Sequence, residues 1–363
     1  MLDVDFWKNK NVLVTGHTGF KGSWLCLWLH ALGAKVTGYA LSPPSRPNVF
    51  QLCEIGDLVT SVIDDIRNKQ RLQAIVSEKS PEIIIHLAAQ PLVQESYHDP
   101  AETYEINAMG TVYLFEAIRH SAREGKGAKA VVNVTSDKCY KDQEWIWGYR
   151  ENDPLGGFDP YSNSKACSEL ITASYRNSFF HHDDFAVHGV ALASARAGNV
   201  IGGGDFAALR LVPDCMRSLL KHEPITIRNP AAVRPWQHVL EPLGGYLMLA
   251  QKLYECGTQF AEEWNFGPND NDARTVEWVV GKICEKWGSD AIYEIDQNQH
   301  PHETHYLTLD CSKAKTKLGW HPVWNLEQAI DKVIEWTRAY RENHNIRHVC
   351  LKQMEDYMNC FDQ

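Results

Sequence analysis

No two cysteines in the chain have CxxC spacing, no apolar run approaches the roughly 18 residues of a membrane span, and basic residues are outnumbered by acidic ones. Each absence excludes something. The ten cysteines, Cys26, Cys53, Cys139, Cys167, Cys215, Cys256, Cys284, Cys311, Cys350 and Cys360, are scattered. They read as reduced, mostly buried thiols rather than a disulfide framework or a zinc ribbon. The opening MLDVDFWKNK lacks the basic-then-apolar layout of a secretory leader, which points to the cytoplasm. Lys and Arg total 36 against 46 Asp and Glu, a net charge of −10. That is a poor footprint for nucleic acid or an acidic membrane, so neither is expected as a partner. The chain has no internal repeat and no low-complexity tract. What remains is an ordinary globular balance of 363 residues, 44% hydrophobic and 23% charged. That is enough for roughly two domains with a sizeable core.

Asn11–Thr15 (NVLVT) is a short apolar run followed by glycines, the pattern of a buried strand ending in a turn. Ser23–Leu32 carries apolar residues on most faces and reads as a buried helix stopped by Gly33. Lys35–Ala40, Glu82–Ala89, Ala130–Thr135 and His188–Ala195 read as further strands. Several are apolar without alternation, as in parallel sheets covered on both faces. Helical stretches lie between, notably Ala101–His120 and Ser162–Tyr175. After Asn199 the alternation breaks at Gly202, Gly203 and Gly204, and the tail from Leu326 reads as helical. The expected fold class is α/β: a doubly wound parallel-sheet Rossmann domain with a smaller mixed α/β C-terminal lobe. The first would comprise residues 1–198 with interleaved segments near 232–268, the second residues 199–231 and 269–363.

The loop Thr15-Gly16-His17-Thr18-Gly19-Phe20-Lys21-Gly22 links the first strand to the first long helix. Glycines let the backbone approach a ligand, and the helix N-terminus then offers free N–H groups to a pyrophosphate. Strand, glycines and helix in this order point to a dinucleotide. The acidic residue expected at the end of the second strand is missing, for that strand runs out as Tyr39-Ala40-Leu41-Ser42-Pro43. NAD and NADP are therefore not separated there; Arg46 nearby either meets a 2′-phosphate or faces solvent. Asp64-Asp65-Ile66, at the end of the third strand, offers a carboxylate to an adenine amino group.

Tyr161 and Lys165 stand four apart at the start of a helix opened by Pro160, so they share a face. An ammonium beside a phenol favours the phenolate, which then accepts a proton from an alcohol. Upstream, Ser136-Asp137-Lys138-Cys139-Tyr140 leaves the C-terminal end of a parallel strand, where α/β active sites form.

With these segments the chain resembles the extended short-chain dehydrogenase/reductase superfamily, and within it the nucleotide-sugar epimerases and 4,6-dehydratases. The segments carrying the resemblance are TGHTGFKG, DDI, HLAAQ, EINAMGTVYLFEA, TSDKCY, YSNSK and RAGNVIGGGD. RPWQHVLEPLGGYL and LDCSKAKTKLGWHP resemble that family's sugar-nucleotide lobe. The resemblance implies NAD as cofactor. Gly16, Thr18, Gly19, Phe20, Lys21 and Gly22 would hold its pyrophosphate side, Asp65 and Ile66 its adenine. Leu87, Ala88, Ala89 and Thr135 would line it, Asn107 would prop the site, and Lys165 would bridge the nicotinamide ribose beside Tyr161. Ser136, Tyr161 and Lys165 would form the catalytic trio. Gln90, Ser136, Asn199 and Arg234 would meet the substrate. Relatives acting on dTDP-sugars carry Thr-Asp-Glu where this chain has Ser136-Asp137-Lys138. That departure makes Lys138 the candidate base, as in CDP-sugar relatives, and implies CDP-glucose as substrate.

The implied reaction is dehydration across C5 and C6 of the glucose. Oxidation at C4, with Tyr161 as base and Ser136 as donor, acidifies the C5 proton. Lys138 removes it, which requires a neutral amine depressed by Lys165, and Asp137 protonates the departing C6 hydroxyl, which requires a carboxyl kept protonated by burial. The alternative is a 4-epimerase, which needs the trio but has no use for Asp137 and Lys138. His300, His302 and His305 lack a metal-binding frame and read as a substrate-loop or surface segment, so no metal is expected. The resemblance further implies deoxysugar synthesis for lipopolysaccharide, and a homodimer or homotetramer built by pairing the two long helices.

Overall fold

The structure is a computed structural model that describes residues 3–296 and 306–361. Strands β1 (Asn11–Thr15), β2 (Lys35–Ala40), β3 (Thr60–Ile63), β4 (Ile83–His86), β5 (Ala130–Val134) and β6 (Ala191–Ala197) join Glu263–Phe266 in a seven-stranded sheet. Every pairing is parallel. The order runs Glu263–Phe266, β6, β5, β4, β1, β2, β3, so the chain reverses direction across the sheet between β1 and β4. A crevice at the C-terminal ends of those two strands is where such sheets bind ligands.

The central strands β1, β4 and β5 are largely apolar because both faces are covered. Val12 and Val14 of β1, Ile83 and Ile85 of β4, and Val132 and Val134 of β5 point into one core. Leu13, Ile84 and Val131, the residues between, point into another. Helices α1 (Phe20–Ala31) and Leu240–Cys256 cover the first face, and Gly110–Arg123 lies on the second. Each large aliphatic side chain buried this way contributes about 1.5–3 kcal/mol before chain entropy is counted.

Several expected boundaries shift by up to three residues; the strand expected over Glu82–Ala89, for instance, is Ile83–His86. The strand expected from His188 begins at Ala191, because Phe185–His188 closes a helical turn that Gly189 ends at φ 65°. The helix expected over Ala101–His120 starts at Pro100, where Asp99 caps it, and widens into a π-helical turn over Glu105–Met109.

Beyond β6 the chain builds small two-stranded pairings. Val200–Ile201 pairs with Gln237–His238, Val233–Pro235 with Ala273–Thr275, and Ile225–Ile227 with Tyr293–Ile295. Leu211–Lys221, Val276–Trp287 and Leu326–Arg341 enclose a third core around Val279 and Ile330. The tail read as helical forms Leu326–Arg341 and Ile346–Phe361, the former opened by a capping box between Asn325 and Gln328. Among the described residues no helix is long and apolar enough to cross a membrane.

Candidate active site

The glycine loop is built for close approach. Gly16 has φ +78°, and a Cβ there would lie 2.8 Å from the Ala88 nitrogen. A Cβ on Gly22 would lie 2.1 Å from the Gly16 carbonyl oxygen. Gly19 opens α1 without a side-chain cap, so first-turn N–H groups stay available to an anion. This backbone cradle at the switch point fits a dinucleotide pyrophosphate. His17 fixes the loop from beneath by pairing with Ser61 Oγ at 2.7 Å, and Gly38 leaves room for its ring. The Thr18 hydroxyl donates to the Leu41 carbonyl, so it holds the end of β2 instead of facing a ligand. Phe20 packs against Gly202, and Leu87, Ala88 and Ala89 follow β4 as half-buried residues.

At the adenine end the expected carboxylate is engaged. Arg67 donates to Asp65 at 2.6–3.0 Å and holds its carboxyl below the usual range. The Ile66 side chain sits in the second core, which leaves only its backbone for a ligand. Arg46 is exposed.

The π-turn points Asn107 inward. Its Nδ2 donates to the Gln90 carbonyl (3.0 Å) and Ser164 Oγ (2.8 Å), and its Oδ1 accepts from the Gln90 amide (2.9 Å). Asn107 thus ties the loop after β4 to the helix Pro160–Ser178. Gln90 differs from expectation. Its side chain donates to Leu92 O and Thr103 Oγ1 and accepts from the Leu92 amide, so it shapes its own loop.

Ser136, Asp137 and Lys138 leave β5 in a tight turn that Ser136 caps, its Oγ accepting from the Lys138 amide (3.2 Å). Ser136 Oγ donates to Asp137 Oδ1 at 2.9 Å. Asp137 is buried, and its Oδ2 has no partner among the described residues. Burial raises its pKa, against the opposing pull of Lys138, Arg234 and Lys21. A carboxyl in such a place favours its protonated form. A Cβ on Gly198 would lie 2.5 Å from Pro235 and 3.2 Å from Asp137 Oδ2, so the Asn199 and Arg234 segments border the same carboxyl. Asn199 accepts the Gln237 amide at its carbonyl, and the buried Arg234 donates to Val233 O at 2.9 Å.

Tyr161 and Lys165 open the Pro160–Ser178 helix, capped by Asp159. Their coupling departs from expectation. Burial pushes the Tyr161 phenol up to about 12, with Ser136 and Arg210 pulling the other way. Lys165 instead turns its ammonium to the Val134 carbonyl at 3.5 Å, and burial lowers its pKa to about 8. Lys21 is likewise lowered to about 8, by burial and then by Arg210 and Lys165, which draws it into the same charged group. The Thr135 hydroxyl donates inward to Glu169.

Three charged residues of this region are given no role by the sequence reading, although Arg196 opens the RAGNVIGGGD segment. Arg210, ion-paired to Asp205 at 3.1 Å, reaches Tyr161 electrostatically, and Glu169 and Arg196 form a buried pair at 2.8 Å. Isolated charges have no spacing to mark them. His300, His302 and His305 lie outside the described residues. Among the described residues one group, His181, His182 and Asp183, has metal-like spacing. It sits on the turn before β6, at the opposite end of the strands from the site.

The sheet order, glycine cradle and Ser/Tyr/Lys group define an extended short-chain dehydrogenase/reductase. The chain belongs to the GDP-mannose 4,6 dehydratase family, whose description it matches over residues 13–333. It is 53% identical over 359 residues to a CDP-glucose 4,6-dehydratase of Salmonella typhimurium, covering 99% of both chains. It is 25% identical to a dTDP-glucose 4,6-dehydratase of Xanthomonas campestris, covering 89% of this chain and 92% of the relative. Among solved structures, dTDP-glucose 4,6-dehydratase of Bacillus anthracis in complex with NAD superimposes with TM-score 0.74 at 22% identity, covering 93% and 99% of the two chains. UDP-glucose 4-epimerase of Thermotoga maritima shares the fold at TM-score 0.75 and 22% identity, covering 91% and 99%.

Proposed function

We propose that the chain dehydrates CDP-glucose to CDP-4-keto-6-deoxyglucose with NAD as resident cofactor. The observation that carries this reading is Asp137, a buried carboxyl with an unpartnered oxygen, one residue from Lys138 and hydrogen-bonded to Ser136. An epimerase has no step for such an acid and base. The relative sharing 53% identity, named for this reaction, supports the substrate.

The glycine cradle of Gly16, Gly19 and Gly22 would hold NAD, which when bound would supply hydride acceptance at C4 and hydride return at C6. Tyr161 takes the C4 hydroxyl proton while Ser136 donates to the developing C4 oxygen. Lys165 holds the ribose side of the cofactor and a positive charge nearby. With C4 a ketone, the C5 proton is acidic and Lys138 removes it. Asp137 gives its proton to the C6 hydroxyl, which leaves as water; when the sugar is reduced at C6, Lys138 returns a proton to C5, and the proton Tyr161 took from the C4 hydroxyl passes to solvent, from which Asp137 is reprotonated. Arg234 and Asn199 face the diphosphate; the forked guanidinium suits that group. The reaction belongs in the cytoplasm and supplies deoxysugar for lipopolysaccharide. The two long helices pair between copies, giving a dimer or tetramer; Met109 and Leu170 are exposed on them.

Incubation with CDP-glucose, dTDP-glucose and GDP-mannose, each followed by detection of 4-keto product, tests the reading. Product from CDP-glucose alone is expected. Product from another sugar nucleotide and none from CDP-glucose overturns the substrate assignment.

A further inference from the structure

We infer that the buried Glu169–Arg196 pair is a positioning device that ties down both ends of the Ser136–Asp137–Lys138 turn, and that elimination depends on it. The inference rests on the function proposed above. On the upstream side, Thr135 directly precedes the turn and its hydroxyl donates to Glu169 Oε1. Glu169 Oε2 accepts from Ser194 Oγ (2.7 Å) and Arg196 Nη2 (2.8 Å). On the downstream side, Arg196 Nη1 donates to Tyr140 Oη (2.8 Å) and to the Glu151 carbonyl (2.9 Å). Tyr140 Oη passes its own proton to Asn265 Oδ1 (2.7 Å), and its ring stacks on Tyr149 at 4.9 Å. One ion pair therefore joins the anchors of a turn whose own length is three residues.

Glu169 and Arg196 are 2% and 1% exposed. A buried ion pair brings little net stability over a well-packed apolar pair, so stability alone is a weak reason for one here. Its geometry gives a better reason. Tyr161 and Lys165 ride on the Pro160–Ser178 helix and are placed by it. Asp137 and Lys138 have only their turn, and a misplacement of about 1 Å at a reacting group costs roughly a hundredfold in rate. Anchors at Thr135 and Tyr140 supply the placement the turn lacks.

Thr135→Val and Tyr140→Phe each remove one hydroxyl at nearly constant volume and leave the Glu169 and Arg196 charges paired. With CDP-glucose, both variants are expected to lose the C6 hydroxyl about ten- to a hundredfold more slowly and to slow C4 oxidation less, because of the groups serving oxidation only Ser136 rides on the turn. Reduced-cofactor absorbance then builds up on mixing, and Thr135→Ser, which keeps the hydroxyl, recovers elimination. Amide exchange without substrate gives a second readout: it rises across residues 136–139 in both variants and not along the Pro160–Ser178 helix. Unslowed elimination in both variants, equal slowing of both half-reactions, or unchanged amide exchange overturns the inference. A parent enzyme inert toward CDP-glucose overturns the substrate reading instead and leaves the exchange result to decide the anchors.

Discussion

In the proposed reaction Tyr161 serves the oxidation and Lys138 the elimination, so single substitutions separate its halves. Tyr161→Phe keeps the ring and loses the proton acceptor. Turnover is expected to fall roughly 10²–10⁴-fold with cofactor still bound, read from steady-state rates and a cofactor-binding titration. Near-normal turnover would assign the base elsewhere. Lys138→Met is expected to spare C4 oxidation and block C5 deprotonation. Reduced cofactor should persist on mixing with CDP-glucose, and solvent deuterium should not enter C5. Asp137→Asn should differ, keeping C5 exchange while C6 hydroxyl loss stalls, because an amide is a poor proton donor. If the two residues were only a loop ion pair, both variants would keep full turnover. At this scale the sequence was legible where spacing carried information. Tyr161 and Lys165 declared themselves by sharing a helix face, and Ser136 and Asp137 by leaving a strand end. The environment of each group was not legible. Lys165 turns to the Val134 carbonyl, and the Tyr161 phenol is raised by burial, because both follow from side-chain packing that no spacing records. For the same reason nothing marked the inward turn of the Thr135 hydroxyl or the importance of Glu169, Arg196 and Arg210.

The elements show the same division. β1 and β5 lie where short apolar runs placed them, since a strand buried on both faces is largely apolar along its length. The π-turn at Glu105–Met109 was invisible, because a single added residue per turn leaves no pattern in hydrophobicity. Strand ends also carry buried polar groups with consequences for pH. His86 closes β4, is buried, and pairs with Thr15 Oγ1 at 2.6 Å. Burial and the neighbouring Lys165 lower its pKa from 6.5 to about 3. In the folded chain it therefore stays neutral where the unfolded chain binds a proton. The stability this contributes is complete above pH 6.5 and is lost as pH falls toward 3. Comparing parent with His86→Asn by denaturant unfolding isolates the effect, since other groups cancel. Between pH 7 and pH 5 the parent should lose about 2 kcal/mol more than the variant. Equal losses would mean that His86 is protonated in the fold.

For the whole molecule, the order of segments along the chain gave the doubly wound sheet, and the sheet places its site at the β1–β4 switch. The later pairings, such as Val233–Pro235 with Ala273–Thr275, were not legible, because strands of three residues are too short to show a period. Association belongs to this scale as well. Exposed Met109 and Leu170 lie on helices expected to pair between copies, so light scattering at micromolar concentration should report at least a dimer. A monomer mass would contradict that pairing.

The most direct measurement of the proposed reaction follows one labelled hydrogen. CDP-glucose carrying deuterium at C4 is incubated with the enzyme in ordinary water, and the product is read by NMR. The expected product is CDP-4-keto-6-deoxyglucose with the deuterium at C6. This pattern requires hydride removal at C4 and hydride return at C6 within one site. Deuterium retained at C4 of a CDP-galactose product would contradict it and identify a 4-epimerase.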